Sequence, residues 1–299
     1  MIIFSILITT KNRIEDLKFT LQKINHLIQR KDVECIICDD SSLDGTYSFV
    51  KENYPEIQLI QNVKSRGLIF SRNRLLELTT AKYAISLDDD AHFITKNPLE
   101  IIEEHFNTNK KCGVIACRIF WGKQLPNKIL SNEKIEQVRG FVGCGHVWNM
   151  KAWNDIPNYP DWFVFYGEEE FASFKLYKKS WEIQYHPQLF VQHRVEVKAR
   201  KNNADYIQRL RRSLRSGWYL YFLFYPLKKI PKRVLYSLWM QIRLKVFKGD
   251  FKAALAILLA IFDLLINLPR LGINRNALTS IEFTDYNKLT NSKIYWNPK

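Results

Sequence analysis

An alternation running through the first hundred residues limits this chain more than any other feature. IIFSILITT (2–10), VECIICDD (33–40), IQLIQN (57–62) and YAISLDDD (83–90) are apolar runs rich in β-branched residues. Each is followed by helical patterning: 14–30, a stretch beginning near Leu43, 69–80, and PLEIIEEHF at 98–106. Strands apolar on both faces need cover on both faces, so the pattern predicts an α/β fold with a mostly parallel sheet flanked by helices. After residue 112 the order loosens. GVIACRIF and FVGCGHVWN read as further strands, and IQYHPQLFVQH (183–193) as the last strand of this part. The opening MIIFSILITT goes straight into a strand, without the basic start and small-residue cleavage site of a secretory signal.

Charge divides the chain. Residues 1–193 carry 24 Lys and Arg against 24 Asp and Glu, whereas residues 194–299 carry 21 against 6, so the whole net charge of +15 lies in the last third. That third is helical in pattern and apolar: WYLYFLFYPLKK, IPKRVLYSLWMQIRLKVFKG and DFKAALAILLAIFDLLINLPR. The division implied is 1–195 as one domain and 196–299 as a basic helical appendage. The uninterrupted run AALAILLAIF (253–262) stops at Asp263, short of the roughly 20 residues that cross a bilayer. Three readings remain for these helices: packing on the first domain, lying on an anionic lipid surface, or a true span. Cys35 and Cys38 form a C-x-x-C inside a strand, where positions three apart face opposite ways. All five cysteines therefore read as buried or free thiols of a reducing cytoplasm.

The polar residues collect where the strands end, which in open α/β sheets is where ligands bind. The first run ends in Thr9-Thr10-Lys11-Asn12-Arg13, the second in Asp39-Asp40-Ser41-Ser42, and the fourth in Asp88-Asp89-Asp90. Carboxylates about 4 Å apart repel by about 1 kcal/mol in water and about 4 kcal/mol at the effective dielectric of a protein surface. A run of three is either a solvated turn or a site for a divalent cation, which prefers carboxylate oxygen. A second acidic run, Glu168-Glu169-Glu170, follows Gly167 at the start of a helix. There it favours the helix N-terminus, or supplies a general base.

Taken together these segments resemble an inverting family 2 glycosyltransferase with the GT-A nucleotide-diphospho-sugar fold. ILITTKNR is similar to the family's first strand and nucleotide-contacting loop, CDDSSLDGT to its D-D-x-S-x-D-G-T, SRGLIFSRNRLLE to its N-x-G-x-x-x-x-R-N-x-G-x segment, SLDDDAHF to the D-x-D metal motif, and YGEEEFASFKLYKKSW to G-E-D-x-D-L-x-x-R-x-x-x-x-G-[WY]. The likeness covers about residues 2–195.

The resemblance implies roles. Asp40 would accept from the imide N–H of the base, and Thr9, Thr10 and Arg13 would line the nucleoside. Arg72 would reach the base or phosphates, with Arg66 or Arg74 as substitutes. Asp90 would ligate Mg²⁺ or Mn²⁺, Asp88 or Asp89 would meet the ribose or the ion, and His193 would touch metal or diphosphate. Glu169 aligns with the family's general base, although Glu replaces the commoner Asp, which leaves the base open between Glu169 and Glu168. Ser180 stands where the family has a helix-capping Gly. Gly143 and Gly145 would wall the sugar or mark a bulge, and Trp162 and Phe163 would stack on an acceptor sugar or pack in the core. The implied donor is a nucleotide-diphospho-sugar and the acceptor a glycan or lipid-linked glycan, used at the inner face of a cytoplasmic membrane to which the basic region binds peripherally. The rivals are a sugar-phosphate nucleotidyltransferase, which wants a glycine-rich basic loop that TTKNRIED lacks, and a non-catalytic nucleic-acid-binding protein. The second wants basic residues interleaved with exposed aromatics rather than set in long apolar helices, so no nucleic-acid partner is expected.

Overall fold

A computed structural model describes residues 1–125, 129–195, 205–291 and 293–296. In chain order the elements are β1 (Phe4–Thr10), α1 (Ile14–Ile28), β2 (Val33–Asp39), α2 (Thr46–Asn53), β3 (Gln58–Gln61), α3 (Leu68–Leu78), β4 (Tyr83–Asp88), β5 (Ala91–Phe93), α4 (Pro98–Thr108), β6 (Cys112–Trp121), β7 (Glu136–Val138), β8 (Gly145–Asn149), α5 (Met150–Asn154), α6 (Glu168–Lys178), β9 (Glu182–His193), α7 (Tyr206–Phe224), α8 (Ile230–Leu244), α9 (Phe251–Ile273), α10 (Ser280–Lys288) and β10 (Ile294–Trp296).

The strands form one sheet in the order β3-β2-β1-β4-β8-β6-β9-β5, with β7 on β9 and β10 on β6. The first four pair in parallel, as the apolar runs predict. Beyond β4 the sheet is mixed: β8 runs antiparallel to β4 and β6, and β5 antiparallel to β9. One face packs Ile6 and Ile8 against Leu17, Leu21 and Ile24 of α1 and Leu99 and Ile102 of α4. The other packs Leu7 and Ile36 against Ile69 and Leu75 of α3 and against the later helices. Cys35 falls in the first core and Cys38 in the second, and all five cysteines are free and buried.

Two local expectations change. Helix α2 begins at Thr46 rather than near Leu43, because Asp44 accepts from Ile14 N (2.9 Å) and from Thr46 Oγ1 (2.6 Å), tying the loop to α1 before Gly45 turns with φ 85°. Ser180 forms the cap that glycine forms elsewhere. It takes φ 60°, and Trp181 N then reaches Leu176 O at 3.0 Å.

The helices beyond residue 205 share the core of the sheet. Phe224 of α7 stacks on Phe174 at 4.7 Å, and Tyr286 of α10 lies 4.8 Å from the same ring. Small residues Ala253, Ala256 and Ala260 bury one face of α9 alongside α7. Asp263 does not interrupt that helix. It sits on the buried face, so α9 continues for 23 residues and is long and apolar enough to cross a membrane by length and composition, with 33% of its apolar window buried. The segment 196–204, which holds the expected boundary, lies outside the described residues.

Candidate active site

Strand register gathers the polar ends. Thr9 lies opposite Asp88 and Thr10 opposite Asp39, at the point where strand order reverses between β1 and β4. A cleft of about 920 Å³ opens there, lined by Thr9, Thr10, Arg13, Asp40, the three aspartates and His193. Its other wall comes from Val164, Phe165, Gln208, Arg209 and Arg212.

Each aspartate has a separate environment, which is how three like charges stand together. Asp88 Oδ1 accepts from Arg72 Nη2 at 2.8 Å. Asp89 is buried, accepting from Thr10 Oγ1 at 2.9 Å and ion-paired with Arg13 Nη1 at 2.9 Å. Burial, with Asp90 and Asp88 beside it, pushes its carboxyl up to about 8. Asp90 accepts from Arg13 Nη2 at 2.5 Å and has His193 Nε2 3.1 Å from Oδ1. Burial works against its ionisation, but His193 and Arg13 outweigh it and hold Asp90 below the usual carboxylate range. His193 arrives by the β5–β9 pairing, which sets it opposite Ala91, next to Asp90.

The acidic wall fits a divalent cation. Asp90 Oδ1 is buried without an aligned hydrogen-bond donor, and Asp88 Oδ2 lies 3.9 Å from His193 Nε2. Carboxylate oxygens and imidazole suit Mg²⁺ or Mn²⁺. Ligand atoms of Asp88, His193 and Cys144 lie within 4.8 Å of one another. Burial pushes the Cys144 thiol up, which works against its serving as a thiolate ligand. Cys144 was not among the residues singled out from the sequence.

Arg72 differs from its expected role. Its guanidinium is buried rather than in the cleft, donating to Asp88 Oδ1 and Glu168 Oε1 (2.8 Å each) and to Gly143 O (2.9 Å). It therefore joins the aspartate triplet to the glutamate run. Of its proposed substitutes, Arg74 turns away to Asn62 Oδ1 (2.6 Å), and Arg66 lines the cleft with its guanidinium over the Phe70 ring.

Glu168 is buried, with Oε1 on Arg72 and Oε2 without a partner. Burial, then the neighbouring Glu169, pushes it up to about 8. Glu169 is half-buried, its Oε1 3.6 Å from Arg72 Nη1. Gly143 makes room for both: a methyl group there would fall on Glu169 Oε1 and 2.7 Å from Arg72 Nη1. Gly145 serves packing, since a methyl would meet Ile119 at 2.8 Å. Phe163 is core, and Trp162 lies between Tyr219 (5.2 Å) and the Arg270 guanidinium (4.5 Å).

Asp40 accepts four bonds, from Asn62 Nδ2, Ser65 Oγ and Arg66 N (2.7 Å each) and Gly67 N (3.0 Å). Burial opposes its charge, but these bonds prevail and hold it below the usual carboxylate range. They also fill a carboxylate's acceptor capacity. Asp40 thus anchors the Ser65–Gly67 loop, and an incoming N–H reaches it only by displacing one donor.

Residues 5–165 match the family described as glycosyl transferase family 2. The chain belongs to that family. Solved structures of similar fold include the mannosyltransferase PcManGT from Pyrobaculum calidifontis in complex with GDP-Man and Mn²⁺ (16% identity, 95% of this chain and 83% of that one, TM-score 0.55). GalNAc-T7 with UDP, GalNAc and Mn²⁺ is another (14% identity, 77% and 49%, TM-score 0.58). The sheet and its flanking helices are the GT-A arrangement of these solved structures. A curated relative, the Escherichia coli UDP-Glc:alpha-D-GlcNAc-diphosphoundecaprenol beta-1,3-glucosyltransferase WfaP, is 36% identical over 66 residues, 22% of this chain and 26% of WfaP. That match spans about a quarter of the relative's length.

Proposed function

We propose that this chain is an inverting glycosyltransferase that moves a sugar from a nucleotide-diphospho-sugar to a hydroxyl of a glycan or lipid-linked glycan. The observation that carries the reading is the convergence of Asp88, Asp90, His193 and, through Arg72, Glu168 and Glu169 at one end of the sheet. Thr9, Thr10, Asp40 and Arg66 border the nucleoside side. Asp88, Asp90 and His193 would hold Mg²⁺ or Mn²⁺, which would supply positive charge against that developing on the departing diphosphate. Arg13 keeps Asp89 and Asp90 in place.

Glu169 takes the proton from the acceptor hydroxyl as that oxygen attacks the anomeric carbon from the side opposite the diphosphate. Its partial exposure supports this choice over Glu168, which is buried and bonded to Arg72. The lipid-linked acceptor named for WfaP supports an acceptor of that class. The direct experiment is a screen of UDP-, GDP- and dTDP-sugars with Mg²⁺ or Mn²⁺. The expected result is cation-dependent turnover of one donor that Asp90→Ala abolishes while the protein stays folded; normal turnover by the variant would refute the assignment.

We further infer that residues 196–299 hold the enzyme peripherally on the cytoplasmic face of the membrane. Leu235, Trp239, Phe247, Phe251, Leu258 and Phe262 are exposed on or beside α8 and α9, near exposed Lys228, Lys229, Lys232 and Lys248. Apolar side chains flanked by basic ones suit anionic lipid. Reversing Lys228, Lys229 and Lys232 to Glu is expected to weaken binding to anionic vesicles at least about a hundredfold, given about 1 kcal/mol per basic residue. Equal binding in vesicle sedimentation would defeat the proposal.

A further inference from the structure

Helix α7 carries Arg209, Arg211, Arg212 and Arg215 within two turns. Three have counter-charges. Arg211 grips Asp263 through Nε (2.7 Å) and Nη2 (2.6 Å). Arg215 donates to Asp263 Oδ2 at 3.2 Å and to Phe163 O at 2.7 Å. Arg209 pairs with Asp205 at 2.5 Å and lies beside the Phe165 ring.

Arg212 makes no hydrogen bond or ion pair among the described residues, although it is half-buried. It lines the cleft with Gln208 and Arg209, and the aspartate triplet borders the same space. Burial, then Arg215 and Arg211 nearby, works against its charge. A partly desolvated cation with no bonded carboxylate is costly; Asp205, which favours its charge, is paired with Arg209, and Asp263 is already shared by two other arginines.

We propose that Arg212, flanked by Gln208 and Arg209, binds a diphosphate group of the substrate. A guanidinium presents a planar fork of donors that matches phosphate oxygens. The two walls then make complementary demands: the carboxylates take the cation that accompanies a diphosphate, and Arg212 takes the oxygens facing away from it. The identity of the diphosphate rests on the glycosyltransferase reading; the anion site itself does not. Two sources share this chemistry, the nucleotide donor and the diphosphate that joins a glycan to a lipid carrier.

The test is calorimetric titration of the full chain, wild type and variants, with inorganic pyrophosphate and with UDP, GDP and dTDP, all in the presence of Mg²⁺. Arg212→Ala is expected to weaken pyrophosphate binding about tenfold or more, the usual effect of losing a hydrogen bond to a charged group. Arg212→Lys should fall between. The melting temperature of Arg212→Ala should hold or rise, because an unpaired cation is removed. Equal pyrophosphate affinity in Arg212→Ala, no pyrophosphate binding by the wild type, or a drop of several degrees in melting would each overturn the proposal. Parallel weakening of a nucleoside diphosphate assigns the site to the donor. Unchanged nucleoside diphosphate binding beside weakened pyrophosphate binding assigns it to the lipid-linked group. Wild-type binding of pyrophosphate but of no nucleoside diphosphate would sink the donor reading and leave the anion site standing.

Discussion

The two walls of the cleft are built by different means. Thr9, Thr10, Asp40 and Asp88 are set by parallel strand register, so a ladder of backbone bonds fixes their spacing. The facing wall is a loop and a helix. In that loop Val164 and Tyr166 take φ 69° and 71°, a left-handed backbone costing roughly 1–2 kcal/mol per residue. It is held by its own turn bonds, such as Val164 N to Asp161 O (2.9 Å), by Arg215 on Phe163 O, and by Gly67 so close to Val164 that a methyl would lie 2.9 Å from its carbonyl oxygen. In the proposed function the strand-built wall takes the cation, and the loop-and-helix wall supplies Arg212 for the diphosphate.

The sharpest way to break this contrast is at the joint between the walls. Glu169→Gln is expected to lower kcat by about 10²–10⁴, the usual worth of a general base, while donor binding measured by titration stays level. A comparable loss in Glu168→Gln alone, with Glu169→Gln active, would move the base to the buried position. Arg72→Met should destabilise the fold by about 3–5 kcal/mol in urea unfolding, because it leaves Glu168 and Asp88 facing a missing charge. A change below about 1 kcal/mol, no more than an exposed ion pair is worth, would show that Arg72 does not join the walls. The smallest effect is expected at Ser180, remote from this contrast. Ser180→Gly should raise stability by about 1 kcal/mol by relieving its left-handed backbone, with turnover unchanged. A fall in melting temperature would mean that the serine side chain contributes more than its strain costs.

Sequence reading was strongest where the physics is periodic. Strands β1, β2 and β4 are buried on both faces, so they appear as continuous apolar runs, and the polar residues ending them mark the sheet edge. Strand β5 has three residues, too few to show any period, yet its pairing is what brings His193 to Asp90. Cys144 was hidden because FVGCGHVWN reads as one strand. The strand begins only at Gly145, since the preceding turn accommodates Glu169 and Arg72 over Gly143. Arg72 shows a signal that went unused: it lies three residues from Ile69 and Leu75, on the buried stripe of α3, whereas Arg74 faces outward. Asp263 looked like a break in an apolar run because the sequence does not show that Arg211 and Arg215, about fifty residues earlier, meet it.

The position of β9 in the sheet has a consequence for synthesis. His193 reaches Asp90 from a strand seated between β6 and β5, and α7 supplies the arginines of the cleft later still. A nascent chain that has emerged through β5 carries all three aspartates and neither His193 nor the α7 arginines. Until those emerge, the acidic cluster has Arg13 and Arg72 as its counter-charges. Domains generally fold as units from the N-terminus, and here the parts of the site made first are completed by those made last.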